Sequence, residues 1–236
     1  MGEDMSKGLF VLGTGTDIGK TYVTGLLLKY LRDNDYNACY FKAALSGAVK
    51  DENGKIIPSD AVEVLSMANL DEDTDFLVPY IYETAVSPHL ASQIEGNPVE
   101  LDFVKKQYNL VSEKYDYIVV EGSGGIVCPI RYDGPYNKNN IMLEDIIGLL
   151  NLDVVLVADA GLGTINSVVT TVEYLKNRNI HVCGILLNNY KDALMENDNI
   201  KMIEELCGVK VIAKIHKNDK NLSPDISIDN LIAFFR

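Results

Sequence analysis

Short apolar runs alternate with amphipathic segments along most of the chain. GLFVLG from Gly8, ACYFKA from Ala38, DYIVVEG from Asp116, DVVLVAD from Asp153, HVCGILLN from His181 and VKVIAKI from Val209 are apolar at successive positions. Strands apolar on both faces are what a parallel sheet covered by helices requires. The segments between them carry helical periodicity. From Leu101 to Tyr115, the residues Leu101, Val104, Tyr108 and Val111 recur at three- and four-residue spacing, while Lys105, Lys106 and Glu113 lie off that stripe. Thr21 to Arg32 and SVVTTVEYLKN from Ser167 also read as helices. The pattern predicts an α/β fold: a single-domain, doubly wound, mostly parallel sheet over residues 5–236. Residues 1–4 (MGED) read as an extension or alternative start before Met5. KDENGK, RYDGPYNKNN and HKNDKNLSPD read as surface loops, and no repeat or linker divides the chain.

Composition narrows the function. A chain of 236 residues, 47% of them apolar, can bury a sizeable core, and a formal net charge of −13 repels a polyanion from the average surface. A nucleic-acid partner is not expected. Cys39, Cys128, Cys183 and Cys207 form no CxxC or Cys/His cluster, which argues against a disulfide scaffold and a zinc site. The N-terminus lacks signal-peptide character, and runs such as Val154 to Ala158 are too short to span a bilayer. The expectation is a cytoplasmic protein with no membrane partner.

In open parallel sheets ligands gather outside the carboxyl ends of the strands, so the residues just after each run carry the chemistry. After the first comes GTGTDIGKT, Gly13 to Thr21, ahead of a helix. It is a variant of the phosphate loop G-x-x-x-x-G-K-[ST], with Thr14 in the position of the first glycine. Strand, glycine turn, Gly-Lys-Thr and helix together point backbone N–H groups at an anion. Lys20 then reaches the outer phosphates and the Thr21 hydroxyl suits Mg2+. Magnesium on a nucleotide takes one or two carboxylates from the protein. Glu121 directly follows YIVV and opens EGSGG, which marks it as a candidate, and Asp159 after VVLVA is another by position. Asp60 in PSDAVEVL reads, taken alone, as a helix cap rather than a ligand. Ser87 and His89 in SPH read as a turn stiffened by Pro88, and no Ser-His-Asp set or activated cysteine is present.

GTGTDIGKT, YFKAALSG, PSDAV, AVSPHLA, IVVEGSGG, LGTIN and GILLNN occur in this order from Gly13 to Asn189. In combination they resemble the dethiobiotin synthetases of the phosphate-loop NTPase superfamily. The resemblance implies an ATP- and Mg2+-dependent ligase of biotin synthesis that closes a cyclic urea from 7,8-diaminononanoate and CO2 or bicarbonate. A carbamate forms first, ATP phosphorylates it to a mixed anhydride, and the second amine displaces phosphate. By motif, Asp17, Ile18, Gly19, Lys20, Thr21 and Tyr22 surround the phosphates, and Thr21, Asp60 and Glu121 hold the metal. Lys42, Lys20 and Thr16 face the reacting groups, and Ser46 faces the organic substrate. Gly122, Ser123 and Gly124 let the backbone approach nucleotide and substrate, and Asn188 and Asn189 lie at the nucleotide base. The family is homodimeric, and Leu162, Gly163, Thr164 and Asn166 of LGTIN imply a loop that binds the substrate's carboxylate at the subunit boundary. Asp17 stands where a Glu is common, Ala43 where Pro is frequent, and His216 lies in the neighbourhood where family members often show Pro near the base. Two rivals share the glycine loop: another phosphate-loop small-molecule ligase or kinase, and a partitioning-type ATP switch. The second usually carries a lysine early in the loop, where this chain has Gly15 and Thr16.

Overall fold

A computed structural model describes residues 6–236; the extension read at residues 1–4, and Met5, lie outside the described residues. The first half of the chain runs β1 (Lys7–Gly13), α1 (Lys20–Asp33), β2 (Ala38–Phe41), β3 (Ala44–Ser46), β4 (Val49–Lys50), β5 (Ile56–Ile57), α2 (Ser59–Met67) and α3 (Thr74–Leu77). It continues through β6 (Tyr80–Tyr82), α4 (Pro88–Glu95), α5 (Leu101–Ser112) and β7 (Tyr117–Glu121). The second half holds β8 (Pro129–Arg131), β9 (Ile141–Met142), α6 (Leu143–Leu150), β10 (Asp153–Asp159), α7 (Thr164–Lys176), β11 (Val182–Asn188), α8 (Leu194–Cys207), β12 (Val211–Lys214) and α9 (Ile228–Ile232).

The six apolar runs are the six strands of the main sheet, in the order β12-β11-β10-β1-β7-β2 with every pairing parallel. Their interiors are buried, as runs with no polar face require. The chain crosses from β1 past β7 to β2, returns to β7, and then builds outward on the other side of β1 through β10. This reversal opens a crevice at the carboxyl end of β1, the place where doubly wound sheets bind ligands. On α5, Val104, Tyr108 and Val111 are buried as the stripe predicts. Two of the surface loops are hairpin tips: KDENGK joins β4 to β5, and RYDGPYNKNN joins β8 to β9. All four cysteines are free thiols. Among the described residues no helix is long and apolar enough to cross a membrane.

Candidate active site

The glycine loop turns at the carboxyl end of β1. Asp17 and Gly19 both take left-handed backbone, at φ 57° and 81°. Gly19 is the N-cap of α1 and no side chain caps that helix, so first-turn N–H groups stay available to an anion. The loop is held from behind, where Asn188 at the end of β11 donates from Nδ2 to the Ile18 carbonyl at 2.9 Å. A Cβ on Gly19 would lie 2.2 Å from that Nδ2, so glycine is required here for conformation and for space.

A cleft of about 390 Å³ opens in front of the loop. Thr16, Asp17, Gly19, Lys20, Thr21 and Tyr22 of the loop and α1 line it together with Lys42, Ser46, Asp60, Ser123 and Gly124, all sequence-derived candidates. Strand periodicity explains how Lys42 and Glu121 meet. β2 and β7 pair with Tyr40 beside Val119 and Phe41 beside Val120, so the next same-face position on β7 is Glu121 and Lys42 follows β2 immediately.

Glu121 is fully buried and collects the charges. Its Oε1 accepts from Thr21 Oγ1 at 2.8 Å and from Lys42 Nζ at 3.1 Å, and Lys20 Nζ stands 3.9 Å away. Its Oε2 accepts from the Tyr40 hydroxyl at 2.8 Å. Lys42, with a side chain only 5% exposed, also pairs with Asp60. Burial works to deprotonate Lys42, but Glu121 and Asp60 outweigh it and lift its pKa above the usual lysine value. For Lys20 burial wins over the attraction of Glu121, and Lys42 adds repulsion, so its pKa falls below that value. Glu63, also lining the cleft, is raised by burial and by the charges of Asp60 and Glu121. Burial likewise raises the Cys128 thiol, which leaves no activated sulfur beside the loop.

These contacts test the metal set. Asp60 and Glu121 both meet one ammonium, so a single cation reaches both carboxylates, and the Thr21 hydroxyl touches the same Glu121 oxygen. Two carboxylates and a hydroxyl match what a nucleotide-bound Mg2+ takes from protein. Asp17, Asp60, Glu63 and Glu121 outnumber Lys20 and Lys42, and a divalent cation offsets that excess of negative charge before a phosphate chain enters. Among the described residues no cluster of three or more His, Cys, Asp or Glu is placed to hold a metal without such help.

Residues 7–224 match the family described as an AAA domain. The chain is 51% identical over 231 residues to the ATP-dependent dethiobiotin synthetase BioD of Clostridium novyi (strain NT), covering 94% of this chain and 95% of that one. It belongs to the ATP-dependent dethiobiotin synthetase family. A second family member, from Brachyspira hyodysenteriae, is 51% identical over 209 residues, covering 88% of this chain and 91% of its own. A third, from Clostridium botulinum (strain Okra / Type B1), is 44% identical across 98% of this chain and 99% of its own. Among solved structures, the MinC:MinD cell division complex of Aquifex aeolicus aligns at TM-score 0.55 and 13% identity over 91% of this chain and 83% of that one. The ParA family ATPase of Chlorobium tepidum TLS aligns at 0.53 and 14% over 92% and 86%. At such identities these two likenesses concern the fold alone.

The structure gives each of the other sequence-derived residues a place in the fold. Asp60 is no cap: Pro58 is the N-cap of α2, without a side-chain hydrogen bond, and the Asp60 carboxylate turns to Lys42. Asn188 is buried and donates from Nδ2 to the loop backbone, and Asn189 donates to Asp159 Oδ2 at 2.6 Å, so both also brace the strand ends. Gly122 is buried, and a Cβ there would lie 2.7 Å from the Phe10 ring, so core packing also demands this glycine. Ser123 does line the cleft, and its hydroxyl donates to the Ala44 carbonyl at 2.8 Å. Ile18 packs against the core, not into the cleft. Leu162, Gly163, Thr164 and Asn166 lie at the start of α7, outside the cleft lining, with Leu162 94% exposed. Ser87 is the N-cap of α4 and its hydroxyl lies 2.9 Å from His89 Nδ1, without a carboxylate to complete a triad. Sequence reading missed Tyr40 and Glu63. Tyr40 hides within an apolar run, though it stands two residues, one strand period, before Lys42; Glu63 stands one helical turn after Asp60.

Proposed function

We propose that this cleft carries out the ATP-dependent dethiobiotin synthetase reaction of the chain's family, joining CO2 to 7,8-diaminononanoate as a cyclic urea with release of ADP and phosphate. The observation that carries the reading is the convergence of Lys20, Lys42, Asp60 and Glu121 on one point in front of a glycine loop. The α1 amides and Lys20 bind and orient the phosphates. Thr21, Asp60 and Glu121 would hold Mg2+, which supplies charge neutralisation on the phosphate oxygens when bound. Lys42, still charged at neutral pH because its two carboxylates outweigh its burial, orients the carbamate and stabilises charge at the transferring phosphoryl group. Thr16 and Ser46 line the same cleft and face the substrate's reacting end. Ring closure follows from proximity, since both amines belong to one held molecule.

The same reading makes the protein a homodimer. The start of α7 carries a left-handed Gly163 as its N-cap, no side-chain cap, and a buried Thr164 hydroxyl without a partner. A helix terminus left open in this way suits a carboxylate, and its distance from the cleft lining favours the substrate tail of a neighbouring subunit. Residues 5–236 act as one working domain in this reading. Its place is the cytoplasm, consistent with an ATP substrate and four free thiols.

Phosphate release with and without diamine and bicarbonate tests the reading. Turnover that requires both, with dethiobiotin as product, is expected. ATP hydrolysis indifferent to the diamine would mean a nucleotide switch or another ligase.

A further inference from the structure

Only one oxygen of Glu121 faces the cleft charges. Oε1 takes Thr21 and Lys42, with Lys20 near, whereas Oε2 takes the phenol of Tyr40 at 2.8 Å. Tyr40 is 0% exposed and sits on β2 in register with Val119, so strand pairing itself sets the phenol behind the carboxylate. No loop or mobile side chain determines this contact.

We propose that Tyr40 is a positioning residue for the metal-holding carboxylate: by anchoring one oxygen of Glu121 from behind, its hydroxyl holds the carboxylate plane so that the other oxygen is presented to Mg2+. The inference rests on the metal role given to Glu121 above. The terminal torsion of a glutamate is broad, so packing alone does not fix the angle of its carboxylate plane. A buried carboxylate oxygen without a donor is costly, and Glu121 without the phenol would turn to share the cleft's own donors. An intermediate turn moves the forward oxygen away from Thr21 or Lys42. A phenol suits this place better than a basic group would. It donates one strong hydrogen bond to the carboxylate yet brings no positive charge to compete with the metal. Burial and the Glu121 charge hold that phenol protonated, so it acts as a donor at all physiological pH. Partners behind a metal ligand commonly alter metal affinity ~10–100-fold when removed.

The test is ADP binding by calorimetry across a series of Mg2+ concentrations, in the wild type and in Tyr40→Phe. The Mg2+ concentration for half-maximal enhancement of ADP binding should rise ~10-fold or more in Tyr40→Phe. ADP affinity without Mg2+ should stay as in the wild type, because Lys20 and the loop amides remain. A variant that only melts earlier, with unchanged Mg2+ half-saturation, overturns the inference and leaves the metal site standing. A wild type whose ADP binding ignores Mg2+ overturns the metal reading itself, and the inference with it. If Tyr40→Phe does not fold, the wild-type hydroxyl proton of Tyr40 is followed by NMR in the ADP complex. Mg2+ drawing charge from Glu121 should shift that proton upfield, and an unmoved resonance overturns the inference.

Discussion

Two helices in this protein begin the same way and end up in opposite surroundings. α1 and α7 each start after a left-handed glycine, Gly19 and Gly163, and neither has a side-chain cap. Around α1 the chain has closed a cleft: Lys20 and Lys42 meet Glu121 and Asp60, Asn188 braces the loop, and Tyr40 backs the carboxylate. Around α7 the described residues build no such enclosure: Leu162 is almost wholly exposed, and the buried Thr164 hydroxyl has no hydrogen-bond partner among them. On the proposed reading the same backbone device serves an anion whose surroundings the subunit completes and, at α7, an anion delivered by another subunit. Uncapped helix starts are therefore best judged by what encloses them.

The largest effect should come from the enclosed start. Lys42→Ala should lower cyclic-urea formation by ~100-fold or more while retaining nucleotide binding, because it removes one donor at the transferring group. Lys20→Ala should weaken both, measured as ADP affinity and as single-turnover rate. Lys42→Ala with near wild-type turnover under saturating substrates would remove Lys42 from the reaction.

A mixing experiment probes the open start. Leu162→Asp should lower activity by roughly 10-fold through a damaged carboxylate site, the size of one lost interaction of ~1.4 kcal/mol. If the site is shared, mixing Leu162→Asp with inactive Lys42→Ala subunits should raise activity above the sum of the two, since one kind of mixed dimer site is intact. Strict additivity after subunit exchange would contradict the shared site.

Smaller effects should appear in stability. Asn188→Ala should destabilise the fold by about 0.5–1.5 kcal/mol, since it removes the donor to the part-buried Ile18 carbonyl. Leu162→Ala should stay within about 0.5 kcal/mol of the wild type when dissociated protein is unfolded by urea, because its side chain lies in solvent. Equal losses at both positions would erase the distinction between the two helix starts.

The sequence makes the sheet legible because its strands are apolar throughout, and the parallel class follows from that alone. It does not announce α8, where Glu196 and Asn199 are buried alongside Ile203 and Cys207 and blur the helical stripe. β3 and β6, three residues each, are too short for periodicity to reveal. In the site, Lys20, Thr21 and Glu121 are legible because a charged or hydroxylated residue at the end of a buried strand or glycine turn has few other reasons to be there. Asp60 is ambiguous in sequence, since helix starts favour acids on their own account, and only its pairing with Lys42 settles its direction. Asn188 and Gly122 answer to the packing of Ile18 and Phe10, neighbours distant in sequence. Tyr40 is unreadable for the same reason: its partner lies 81 residues away, across a strand pairing.

The central chemical claim is that the glycine loop's ATP phosphorylates a carbamate oxygen beside Lys42. That oxygen comes from CO2, so supplying freshly dissolved C18O2, before it exchanges with water, and analysing released phosphate by mass tests the claim most directly. The account predicts one 18O atom per phosphate formed together with dethiobiotin. Phosphate carrying no label, with dethiobiotin still produced, would contradict it.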